Sequence, residues 1–68
     1  MRTNEPAAPG RLIRLPAVSK MTGLSRSAIY RFEAAGEFPR RRRLGLRAVA
    51  WPEAEVAAWV ASRAVVAK

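Results

Sequence analysis

The chain has no cysteine and no histidine. Without thiols there are no disulfide staples, and without thiolate or imidazole ligands the ordinary metal sites are excluded. The usual nucleophile–base pairs go with them. Any catalysis would rest on 5 scattered carboxylates, so neither an enzyme nor a cofactor, a metal or a small-molecule substrate is expected. Long hydrophobic runs are missing as well. Nothing approaches the ~20 apolar residues that cross a bilayer, and no signal-peptide core stands at the N-terminus. Together with the lack of cysteine, this points to a reducing cytoplasm and to no membrane partner.

Acidic residues are scarce, and what is there is basic. Lys and Arg number 13 against 5 acids, for a net charge of +8 on 68 residues. A chain of this size buries only roughly 60% of its unfolded surface, so it has room for one modest core. So strong a positive balance on so small a domain calls for a polyanion, above all nucleic acid. Of the 13 cations 11 are arginine, whose planar fork of donors suits phosphates and base edges.

"MRTNEPAAPG", residues 1–10, is rich in proline and glycine without periodicity and reads as a disordered arm. The folded domain is expected over 11–64, with a frayed tail at 65–68. "LPAVSKMTG" opens a short helix: Pro16 suits its first turn, Leu15, Val18 and Met21 share a side, and Gly23 stops it. "LSRSAIYRFEAAG" gives a second helix from about Arg26 to Ala35, with Ser25 as N-cap and Gly36 just past its end. Only Gly23, Leu24 and Ser25 separate the two, which is the helix-turn-helix spacing. At 100° per residue, Ala28, Ile29, Phe32 and Ala35 form the second helix's inner face. Arg26, Ser27, Tyr30, Arg31 and Ala34 form the outer one. "PEAEVAAWVASRA" is the last helix, with Pro52 in its first turn and Val56, Trp59 and Val60 as its buried stripe. Glu53 and Glu55 there favour the positive end of the helix dipole, and Arg63 can lie over Trp59.

Between these helices stands "FPRRRRLGLRAVAW", with four arginines in a row. A like-charge run is ordinarily a solvated tail or loop, but Gly45 and Leu46 allow a two-residue type II′ hairpin turn. Leu44 then pairs with Arg47, Arg43 with Ala48, Arg42 with Val49, Arg41 with Ala50 and Arg40 with Trp51. On this register Leu44, Val49 and Trp51 face the core with Arg40 and Arg42 at the rim. Arg41 and Arg43 point outward past two alanines, and Arg47 stands near the tip. The expected class is therefore mostly α with a small β-hairpin: a winged helix-turn-helix.

From Arg14 to Arg63 the chain resembles the AlpA-type phage and prophage regulators, which belong with the excisionase-like, MerR-related DNA-binding domains. "TGLSRSAIYR", "GEFP", "LGLRAVAW" and "EVAAWV" carry the likeness in order and spacing. It departs at Arg42, where the family has an apolar residue, and at Pro52, where it has a polar one. The resemblance implies that Ser25, Arg26, Ser27, Tyr30 and Arg31 meet the major groove. It also puts the wing, with Arg41, Arg43, Gly45 and Arg47, on the adjacent backbone or minor groove. The reading is a sequence-specific double-stranded DNA-binding protein of a mobile element, associated with the bacterial nucleoid, acting as transcriptional regulator or excisionase. An integrase and further copies side by side on DNA repeats are the partners it suggests. The alternative is a basic module that binds RNA or protein.

Overall fold

The computed structural model of the chain describes residues 10–66. The arm at 1–9 and the last two residues lie outside them. Where the order of elements matters, local capping decides it. Helix α1 (Leu15–Thr22) starts with Pro16 in its first turn, where the missing N–H costs nothing, and stops at Gly23 with φ 75°. Its Ser19 hydroxyl donates to the Leu24 carbonyl at 2.6 Å, and Leu24 N–H donates to Thr22 Oγ1 at 3.1 Å. These bonds fix the turn into α2 (Arg26–Ala34). There the Ser25 hydroxyl accepts from Ala28 N–H at 3.2 Å, satisfying one of the helix's unpaired amides. Gly36, at φ 77°, closes α2 with paired bonds from its own N–H to Glu33 O and from Glu37 N–H to Phe32 O, the Schellman arrangement.

The chain next reaches the core through Phe38, which is buried, and the tryptophans hold the carbonyls on either side of it. Trp59 Nε1–H donates to Glu37 O at 2.7 Å and Trp51 Nε1–H to Pro39 O at 3.1 Å. Phe38 meets the Trp59 ring edge-on at 4.9 Å. A buried indole needs a partner for its N–H, and here that need pins the connector between α2 and the wing.

Strands β1 (Leu12–Ile13), β2 (Arg42–Arg43) and β3 (Val49–Pro52) form an antiparallel sheet in the order β1-β3-β2. The hairpin was expected; β1 was not. It pairs Leu12 with Pro52 and Ile13 with Trp51, and Glu53 N–H donates to Arg11 O. Helix α3 (Glu53–Ala61) follows with Pro52 as its N-cap rather than inside its first turn. Trp51, Ile29, Val18 and Val56 are fully buried, with Ile13 and Phe38 beside them. Each contributes about 1.5–3 kcal/mol of burial, and together they hold both helices of the helix-turn-helix against β3 and α3. Two residues assigned inward lie outward: Val60 is 39% exposed, and Ala35, the C-cap of α2, is exposed.

Candidate nucleic-acid interface

The wing's register differs from the one expected. Arg42 pairs with Ala50 and Arg43 with Val49. Leu44 N–H donates to Ala48 O, so the loop is Gly45, Leu46 and Arg47 rather than two residues. A type II′ turn requires a positive φ at its glycine, and among the described glycines Gly23 and Gly36 adopt one while Gly45 does not. Side chains of directly paired residues share a face, so the one-residue slip exchanges the faces of the run. Arg43 stands on the Val49 side. Arg42 reaches the other way to Glu55 of α3 at 3.1 Å. Leu44, expected in the core, is 48% exposed.

Arg41 is not the free outward cation that the alternation suggested. Its backbone N–H donates to Glu33 Oε2 at 2.8 Å and its guanidinium pairs with the other carboxylate oxygen. The guanidinium carbon also lies 5.2 Å from the centre of the Tyr30 ring. Tyr30 in turn packs on Trp51, ring centres 6.2 Å apart, with Arg26 5.9 Å from it on the helix. Thus Tyr30 is half-buried and joins the outer face of α2 to the wing, a position between the two faces into which α2 was divided.

The result is a groove between α2 and the wing. Two concavities meet at Tyr30 and Val49. One is lined by Arg14, Arg26 and Arg47 together with Leu15 and Pro16. The other is bordered by Glu33, Ala34, Arg40 and Arg41. Arginines from the start of α1, the first turn of α2 and the wing's loop line the first of these. Ser25, Ser27 and Arg31 are exposed on α2, and Gly45 and Arg43 are exposed on the wing. Arg14 and Arg40 were missed as site residues. Arg14 was legible only as the residue before a helix start, and it takes the wing's return across β3 to bring Arg47 opposite it.

Exposed hydroxyls and guanidinium groups border this groove, and no polar side chain is buried among the described residues. The groove has the makings of a polyanion surface, with forked guanidinium donors from α2, the wing and the residue before α1 along its edges. Helix, turn, helix, wing and closing helix make this a winged helix-turn-helix protein.

Comparison with known proteins places it further. The model of the family described as prophage CP4-57 regulatory protein (AlpA) matches residues 11–64. The uncharacterized protein ORF88 of Enterobacteria phage P4 is 49% identical over 53 residues, which cover 78% of this chain and 60% of that protein. The DNA-binding transcriptional activator AlpA of Escherichia coli K12 is 41% identical over 61 residues, covering 78% of this chain and 84% of the activator. No solved structure matches. The chain belongs to the AlpA family of prophage regulatory proteins.

Proposed function

We propose that the protein binds duplex DNA sequence-specifically and regulates transcription for a mobile element, on the nucleoid in the cytoplasm of a bacterial host. The observation that carries the reading is the convergence of Arg14, Arg26 and Arg47, from three separate elements, on one groove. With α2 lying in the major groove, the sugar-phosphate backbone passes between helix and wing, where Arg14 and Arg47 meet it. Arg26 and Arg31 then reach guanine O6 and N7 bidentately, while the Ser25 and Ser27 hydroxyls donate to phosphate oxygens or base acceptors. Arg43 and Arg47 follow the wing onto flanking phosphates or a narrowed minor groove. A relative named as a DNA-binding transcriptional activator supports regulation as the output.

One such domain covers only about 600–1,000 Å² of interface. No long helix is present among the described residues to make a stable dimer, so copies side by side on repeated sites supply the affinity. An excisionase role, steering an integrase, would use the same contact and differs only in where the site lies.

The test is a titration of duplexes selected from a random pool, repeated across salt concentrations. Contact with about 5–7 phosphates gives a log–log slope of about −0.9 per phosphate. Arg26→Ala should cost about 1–3 kcal/mol on the selected site alone, whereas Arg47→Ala should weaken selected and random duplexes alike. Tighter and less salt-sensitive binding to a structured RNA than to any duplex would defeat the proposal.

A further inference from the structure

The end of the wing carries a residue that the arginine groove does not use. Leu46 is the middle residue of the Gly45–Arg47 loop and is 91% exposed, with Leu44 48% exposed beside it. Hairpin loops ordinarily take Gly, Asn, Asp or Ser, which serve the turn itself. Leucine does nothing for this one. It belongs neither to the core nor to the residues packed against it. A scattered surface leucine needs no explanation, but this one stands at the outermost point of an otherwise arginine-rich arm. Its sequence neighbours on the two sides include Arg43 and Arg47, neither paired with a carboxylate among the described residues.

We propose that Leu46 is a wedge that enters the DNA minor groove beside the α2 site and partly unstacks one base step, bending the duplex. The inference rests on the duplex-binding reading above and deepens it. Three features support it together. The flanking arginines bring the tip to a polyanion and oppose its burial in an apolar protein surface. The loop is short and held by two N–H donations to Ala48 O, so the leucine is presented at a fixed point rather than on a floppy tail. An aliphatic side chain between cations is also the chemistry of minor-groove wedges, which open pyrimidine–purine steps more readily than others. A bend toward the major groove would bring neighbouring copies on repeated sites closer together.

The experiment uses the full chain and a duplex selected by the wild-type protein. 2-Aminopurine is placed at successive positions along the flank, and the duplex ends carry a fluorescence-transfer pair. Wild type should brighten 2-aminopurine at one step only and bring the ends closer. Leu46→Ala should lose both signals while keeping the melting temperature and the salt slope. Leu46→Met, another flexible apolar chain, should retain them. Equal signals from wild type and Leu46→Ala would overturn the wedge while leaving duplex binding intact. So would a Leu46→Ala defect confined to binding of an integrase, since the tip would then be a protein contact. No salt-dependent duplex binding by wild type at all would overturn the wedge and the reading beneath it.

Discussion

Glu33 offers the sharpest handle on how the wing is held, because one carboxylate makes both connections between α2 and the first residue before β2. Its side chain is 11% exposed and accepts the Arg41 backbone N–H at 2.8 Å as well as the guanidinium. A hydrogen bond to a charged group contributes about 1.5–3 kcal/mol. Arg41's side chain is 44% exposed, so the ion-pair share shrinks to the surface range of about 0–1 kcal/mol. Glu33→Gln keeps an oxygen for the backbone N–H and loses the charge, which should cost about 0.5–1 kcal/mol. Glu33→Ala loses both and should cost about 1.5–2.5 kcal/mol, even after the few tenths that alanine returns in helix propensity.

For a domain of this size each kcal/mol moves the midpoint by about 4–8 °C. Glu33→Ala should therefore melt at least about 6 °C below wild type, with Glu33→Gln between them. Tryptophan fluorescence reads the transition directly, since Trp51 and Trp59 bond the carbonyls of the adjoining connector. A second effect runs the other way. Either substitution removes a negative charge from the groove and frees Arg41 for phosphate, steepening the salt slope by about 0.9. Glu33→Ala melting within about 2 °C of wild type would refute the tether, and with it the account of how the wing is aimed.

Ser25 is both N-cap and proposed phosphate contact, and charge separates the roles. Ser25→Asp should keep the cap and the melting temperature yet weaken duplex binding, whereas Ser25→Ala should cost about 1 kcal/mol of stability. Gly36→Ala meets no atom within 4 Å, so its cost should be the left-handed backbone alone, about 1–2 kcal/mol in a denaturant titration. Within the arginine run, Arg43→Ala should weaken selected and random duplexes alike and flatten the salt slope by about 0.9. Arg42→Ala, which loses only an exposed pair with Glu55, should change binding little and stability by about 0–1 kcal/mol.

The helices were legible in the sequence because their signals are local. Pro16, Gly23, Ser25 and Gly36 each act within a turn of where they stand, and the structure uses them at those points. The wing was legible as a hairpin but not in register. Register is set where one face must be apolar, and four consecutive arginines offer no such face. Either loop length satisfied the sequence. In the three-residue-loop register the structure adopts, Arg41 is bonded to Glu33, eight residues earlier in the chain. Strand β1 escaped for a related reason, since Leu12 and Ile13 acquire strand character only by pairing with Pro52 and Trp51. Phe38 escaped because its burial depends on both tryptophans. On α2, Ser25, Arg26, Ser27 and Arg31 lie exposed as the helical period required, while Tyr30 stands at the border, where neither face decides.

The arginine excess divides by position rather than acting as one basic patch. Arg11, Arg41 and Arg42 are each held by a glutamate, and Arg63 lies over the Trp59 ring at 4.3 Å. Every one of these joins two elements or closes a helix. Among the described arginines, those left without a carboxylate are otherwise Arg14, Arg26, Arg31, Arg40, Arg43 and Arg47. They belong to the start of α1, the outer side of α2, and the wing with its approach. Pairing thus holds Arg11 and Arg42 against α3 and Arg41 at the groove's edge, and leaves Arg14, Arg26, Arg40 and Arg47 as the groove-lining arginines without a carboxylate. Net charge alone would draw the protein to any polyanion. Under the duplex-binding proposal, this distribution favours a partner that fits helix and wing at once, as a duplex with its alternating grooves would.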